Sequence, residues 1–218
     1  MSVTHRMGAE WIMAQAAGTL SEGEALLVAS HLSYVPTARA DMAAAEAAGG
    51  MLLENLAPTP LAEDALNRAL ARLYEPEEKP AQRAADMQIG SPLLPAPLQH
   101  WLGRDIEELN WRFLGPGMRQ ATLWRGKNKD RLWMLRAKPG TSVPRHGHGG
   151  VELTLVLCGS ITDPTGTYRR GDVQEMNVAN THELMVGTEE ECICLAYTQG
   201  QMRFKGIIAK LMKPFLGL

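Results

Sequence analysis

Cysteine is scarce in this chain. There are three in 218 residues, Cys158, Cys192 and Cys194, all in the second half. An odd, small number builds no disulfide framework and suits a reducing compartment. Long apolar runs are missing too. No stretch approaches the roughly 18 to 20 uninterrupted apolar residues that span a bilayer. Met1 to Glu10 has no apolar signal core with a cleavage site, so the expected location is cytoplasmic, away from membranes. Net charge is nearly absent at -2, and the 45% hydrophobic, 21% charged composition excludes disordered and collagen-like classes. The basic residues are scattered, and no helix concentrates them on one face. Direct nucleic-acid binding is therefore not expected.

The small total hides an asymmetry. Residues 1–97 hold 6 Lys+Arg against 12 Asp+Glu, a net of -6, while residues 98–218 hold 16 against 12, a net of +4. A change of sign between halves points to two modules. The first half has helical patterning. Met7 to Ala17 runs up to Gly18, a helix stop. Ser21 to Glu24 has the form of a capping box before a helix extending to about His31. After Pro36 comes the alanine-rich segment Thr37 to Ala48; Gly49-Gly50 weakens it and Met51-Leu52-Leu53 offers a continuation. A last helix is predicted over Leu61 to Leu73, with Pro60 at its first position and a buried stripe of Leu61, Ala65, Leu66, Ala69, Leu70 and Leu73.

Residues 75–97 contain Pro76, Pro80, Pro92, Pro95 and Pro97, five of the thirteen prolines. Proline lacks a backbone donor and fixes φ, so this window is predicted as a linker. Beyond it, short apolar runs alternate with turns: Arg131 to Leu135, Lys138-Pro139-Gly140, Val151 to Leu157, Asp163-Pro164-Thr165-Gly166, Arg170-Gly171-Asp172 and Glu191 to Tyr197. This predicts an all-β sandwich or barrel. Phe204 to Phe215 fits either a helix or an edge strand.

The richest chemistry lies between Gly140 and Gly159. His146, His148 and Glu152 share parity, so on an extended strand all three face one way. Two imidazoles and a carboxylate on one face suit zinc, iron or manganese. A further histidine, His182, follows eleven residues after Gly171. Cys192 and Cys194 share a strand face by the same parity. They are read first as small buried hydrophobes and second as candidate redox thiols.

Gly, five residues, His-x-His, three residues, Glu, six residues, Gly is the pattern of the first cupin motif, and the chain resembles that family at every defined position. Gly171 and His182 fit the second motif; Asn177, Ala179 and Val186 stand where proline, glycine and asparagine are usual. The resemblance implies a cupin (double-stranded β-helix, jelly-roll) barrel with His146, His148, Glu152 and His182 as metal ligands. It implies one divalent metal, zinc first, with iron, manganese or nickel as alternatives.

The order of modules resembles the ChrR family: a helical anti-sigma domain, a proline-rich linker, then one cupin domain. The boundaries expected are 1–75, 76–97 and 98–218. Supporting residues are Ala17 to Glu22, Glu152 to Leu157, Cys192 to Leu195 and Pro214-Phe215. The family's N-terminal zinc site is damaged here. His31 is in place and His5 suits the upstream ligand, but Val35 and Ala38 occupy the cysteine positions. Neither ligates a metal, so one metal per chain is expected. The resemblance implies an anti-sigma factor whose acidic helical half binds an extracytoplasmic-function sigma factor. Its cupin half would sense a signal such as singlet oxygen or oxidative stress, by the metal, a thiol or a small-molecule ligand in the barrel. It assigns no catalytic residues. The alternative is a cupin metalloenzyme, a dioxygenase or isomerase acting on a small metabolite.

Overall fold

The computed structural model describes residues 3–75, 93–201 and 203–204. Pro76, Pro80 and Pro92 of the expected linker, and 205–215 of the undecided C-terminal segment, lie outside the described residues. Helix α1 spans Ala9–Ala16, α2 Glu22–Leu32, α3 Pro36–Glu54, α4 Ala65–Arg72 and α5 Ala96–Leu102. The local signals explain most of these limits. Gly18 takes φ +65 behind α1, a conformation that costs glycine least. At α2 the capping box forms in full: the Ser21 side chain accepts from the Glu24 N–H, and the Ser21 N–H donates to Glu24 Oε2 at 2.8 Å. Helix α3 starts with Pro36 in its first turn and runs through Gly49-Gly50 to Glu54.

The region Leu61 to Leu73 departs from expectation. Helix α4 starts only at Ala65, after Asp64 at the N-cap position. Its stripe is not buried: Leu61 is 85% exposed, Leu66 69% and Leu73 76%. Helical spacing identifies an amphipathic face, and no part of the described chain covers this one.

Among the described residues eleven strands follow: β1 Arg112–Gly115, β2 Met118–Arg125, β3 Arg131–Ala137, β4 Ser142–Gly147, β5 Glu152–Cys158, β6 Ser160–Asp163, β7 Gly166–Arg169, β8 Val173–Met176, β9 Thr181–Val186, β10 Cys192–Thr198 and β11 Arg203–Phe204. They form two antiparallel sheets, one in the order β1-β2-β3-β10-β5-β8 and the other β11-β4-β9-β6-β7. The architecture is a two-sheet cupin barrel preceded by helices. Gly159 turns the chain between β5 and β6 at φ +70, where an added Cβ would lie 2.6 Å from the Glu191 carbonyl oxygen.

Two apolar cores flank the first sheet. Between the sheets lie Trp133, Leu135, Val143, Val156, Ile161, Leu184, Val186 and Ala196. On the other side, Leu153, Leu155 and Leu157 of β5 pack in one cluster with Leu26, Leu27 and Val28 of α2 and with Leu94 and Leu98 around α5. Strand β5 is therefore buried on both faces, with Leu153, Leu155 and Leu157 on the helix side and Glu152, Thr154 and Val156 on the barrel side. Polar contacts continue the join. The Asp172 carboxylate accepts from the Thr4 and His5 N–H groups at 2.6 and 2.9 Å, and Glu175 accepts from the Gly8 N–H and the Trp11 indole.

Candidate metal centre

His146, His148, Glu152 and His182 come together. They are the one set among the described residues with three or more His, Cys, Asp or Glu side chains placed to hold a metal; their ligand atoms lie within 4.8 Å of one another. All four are at most 4% exposed. Strands β4 and β9 are paired with His146 opposite His182. Along β9 burial alternates strictly, so His182, Leu184 and Val186 face inward while Thr181, Glu183 and Met185 face water. The turn that delivers His182 has Asn177 and Ala179 where the second cupin motif has proline and glycine, and asparagine side chains shape it. Asn180 Oδ1 accepts from the Asn177 N–H at 2.9 Å, and Asn177 Oδ1 accepts from the Ala179 N–H at 2.9 Å. Asx turns of this kind shape a loop without special φ values.

The protonation of the rings follows from their partners. His146 Nδ1 lies 2.9 Å from the Pro144 carbonyl oxygen, and His182 Nδ1 lies 3.2 Å from Asp163 Oδ2. Both partners are acceptors, so both Nδ1 atoms carry hydrogen and both Nε2 atoms are bare lone pairs. Yet the two Nε2 atoms are 3.1 Å apart. His148 Nε2 is 3.2 Å from His182 Nε2 and can satisfy at most one of these lone pairs. His148 Nδ1 is buried without a hydrogen-bond partner, although Glu152 Oε2 is 3.2 Å away. Buried lone pairs facing each other repel, and a cation among them removes the conflict. This donor set of three imidazoles and a carboxylate fits a divalent ion.

Burial supports the neutral, ligating form of each imidazole. It lowers His146 to about 4, with the neighbouring His182 adding to the effect. It lowers His148 to about 3, helped by His146 and His182. Burial likewise lowers His182, against the opposing pull of Asp163. Burial raises Glu152 to about 7, opposed by a hydrogen bond from Thr198 and by the charge of Arg131. A bound cation acts in the opposite sense on this carboxyl. Glu152 is oriented by a short chain: its Oε1 accepts from the Thr198 hydroxyl at 3.2 Å, and that oxygen accepts from the Trp133 indole at 2.9 Å.

Asp163 is the member that sequence reading missed. Its only visible signal was membership of the turn Asp163-Pro164-Thr165-Gly166, and its contact with His182 is made across the second sheet.

The remaining predicted residues do not assemble a second set. His31 is fully buried, and both ring nitrogens are used: Nε2 accepts from the Met7 N–H at 3.3 Å and Nδ1 donates to the Gly171 carbonyl at 3.0 Å. Burial lowers its pKa. His5 stacks at 4.4 Å on Tyr168 and its Nδ1 lies 3.6 Å from Asp172. Val35 and Ala38 pack with Ile12 in a small apolar cluster. Cys192 and Cys194 are both 1% exposed, with sulfurs 3.5 Å apart. The contact with Cys192, then burial, raises the Cys194 pKa well above the usual thiol value. A thiol held protonated is a poor nucleophile.

Comparison with known proteins agrees with this geometry. Residues 101–202 match the family model described as the ChrR cupin-like domain. Over 215 residues the chain is 39% identical to the anti-sigma-E factor ChrR of Cereibacter sphaeroides, covering 99% of both chains. It also resembles the crystal structure of Rhodobacter sphaeroides SigE in complex with the anti-sigma ChrR, with a TM-score of 0.77 and 37% identity over 90% of this chain and 99% of that one. Identity of this order, running through the helical half as well as the barrel, shows that the chain belongs to the ChrR family.

Proposed function

We propose that the chain is an anti-sigma factor that sequesters an extracytoplasmic-function sigma factor through its helical half, in the cytoplasm. The carrying observation is the uncovered apolar surface of α3 and α4. Met51, Leu52, Leu53 and Leu56 at the end of α3, and Leu61, Leu66, Leu70, Leu73 and Tyr74 around α4, are all exposed. Isolated apolar residues on a surface are ordinary; nine within 24 consecutive positions mark an interaction site. Leu66, Leu70 and Leu73 recur at the spacing of one helix face, the pattern by which an amphipathic helix anchors in a partner's groove. The net charge of -6 over residues 1–97 adds complementarity to the basic surfaces that sigma factors present. The relative of known structure was crystallised as a complex with SigE.

The cupin half holds one divalent ion, zinc first, through His146, His148, Glu152 and His182. A bound ion would supply the positive charge that balances the Glu152 carboxylate and accepts the imidazole lone pairs. The chain's own residues keep the imidazoles neutral, aim their Nε2 atoms inward and exclude water. The proposed role of this half is to sense oxidative stress. The contacts of Asp172 and Glu175 with residues 4–11 join it to the helices.

The test is complex formation with the cognate sigma factor. The full chain is expected to form a stable complex. Leu66→Glu combined with Leu70→Glu is expected to weaken it by about 30-fold or more, the cost of losing one interface hot spot. A wild-type chain that forms no complex, or a double variant that binds as tightly as wild type, would contradict the reading.

A further inference from the structure

We propose that Asp163 is the positioning residue for the metal ligand His182, and that the β6–β7 turn exists partly to hold it in place. This rests on the metal reading given above. The Asp163 side chain is fully buried and divides its two oxygens between two tasks. Oδ1 accepts from the Thr165 N–H at 2.8 Å, from the Gly166 N–H at 3.2 Å and from the Thr165 hydroxyl. These bonds lock the carboxylate to its own turn. Oδ2 faces the barrel, where it accepts from Gln174 Nε2 at 2.8 Å and from His182 Nδ1 at 3.2 Å.

The consequence for His182 is a fixed tautomer. A carboxylate oxygen that also receives the Gln174 amide can only accept, so the His182 proton stays on Nδ1 and the lone pair stays on Nε2. That Nε2 is the atom 3.1 Å from His146 Nε2 and 3.2 Å from His148 Nε2. Ligand histidines commonly carry an acceptor behind the ring that raises ligand basicity and sets ring orientation. His146 has a neutral carbonyl in that place, Pro144. His182 has the buried carboxylate, so it should be more strongly held and more basic than His146.

Five donor contacts converge on the two oxygens, and this makes asparagine a poor substitute. An amide has one acceptor and one donor end. If its oxygen serves the turn, its NH2 faces the His182 and Gln174 donors; if reversed, it faces the Thr165 and Gly166 N–H groups. Asp163→Asn therefore has to mispair one side, and on the barrel side it drives the His182 proton toward Nε2.

The experiment measures affinity for zinc and for cobalt(II), by competition with a chelator, in the full chain and its variants. Asp163→Asn is expected to lower affinity about 10- to 100-fold, the usual effect of losing such an outer partner, and to shift the visible bands of the cobalt-loaded protein. Thr165→Val, which touches only the turn side, is expected to stay within about twofold of wild type, below that same range. Nitrogen NMR of zinc-loaded wild type reads the tautomer without any variant, and should show His182 protonated at Nδ1. Three results would overturn the proposal: unchanged affinity in Asp163→Asn, an equal loss in Thr165→Val, or metal bound at His182 Nδ1. A wild-type chain that binds no metal overturns the metal reading as well, which separates the two failures.

Discussion

The barrel and the helical half each bury histidine, and the two environments differ in one respect. In the barrel, His146, His148 and His182 turn nitrogen atoms toward one another at 3.1 to 3.2 Å, and the buried His148 Nδ1 has no hydrogen-bond partner among the described residues. In the helical half, His31 is equally buried but each nitrogen has a backbone partner, the Met7 N–H and the Gly171 carbonyl. The first set, with Glu152, is placed to hold a cation. The second is complete, and Val35 and Ala38 beside it supply apolar packing with Ile12. Burial of a histidine does not identify a ligand; convergence of several donor side chains within 4.8 Å of one another is the stronger sign. The same position that suits a zinc ligand in the family pattern thus serves here as a hydrogen-bonded strut between helix and barrel.

The sharpest way to break this comparison is to remove one ring from each region. His182→Ala should lower zinc affinity by more than about 100-fold, exceeding the loss from an outer-sphere change, as read by chelator competition. His31→Ala should leave zinc affinity unaltered. Retained affinity in the first variant, or lost affinity in the second, would show that the division is wrong. His31→Ala should instead lower folding stability by about 3 kcal/mol, because it leaves a buried N–H and a buried carbonyl without partners. Denaturant titration measures this, and a change under about 0.5 kcal/mol, the scale of a neutral surface substitution, would mean the strut is dispensable.

A smaller effect follows from pH. In metal-free protein, burial holds His146 at about 4 and His148 at about 3, below the ordinary 6.5. The unfolded chain then takes up these protons first, so stability falls as pH drops through 6.5. His31 and His182 are shifted the same way. Glu152, raised to about 7, opposes them: the folded form takes up its proton between 7 and 4.5 and is stabilised by acid over that window. Four histidines outweigh one carboxyl, so the melting temperature of chelator-treated protein should be lower at pH 5 than at pH 7. An unchanged or higher value at pH 5 would contradict the stated balance. The smallest effect belongs to the exposed stripe. Leu66→Glu should change the stability of the isolated chain by no more than about 0.5 kcal/mol, since its side chain is uncovered. A large loss in thermal or denaturant unfolding would place that leucine in the chain's own core.

The barrel's ligands were legible in sequence because they match a spaced motif, although the single extended strand expected for His146, His148 and Glu152 is broken: His146 lies in β4, His148 in the connection after it, and Glu152 opens β5 in the other sheet. The capping box at Ser21 and Glu24 was legible because its chemistry is local. The stripe from Leu61 to Leu73 was legible as amphipathic but not as exposed, since periodicity says that a face is apolar and not what covers it. Asp163 escaped because its turn residues are contiguous while its partner His182 is 19 residues away on another strand. The packing of Leu26, Leu27 and Val28 onto Leu153, Leu155 and Leu157 escaped for the same reason: it pairs segments more than a hundred residues apart.

The account turns on a single occupied site, so the direct measurement is metal stoichiometry of the purified full chain by native mass spectrometry with elemental analysis. The predicted result is about one divalent ion per chain, within the weighing error of such assays, lost in His182→Ala and kept in His31→Ala. Two tightly held ions per chain, or one that survives loss of His182 and disappears with loss of His31, would contradict it.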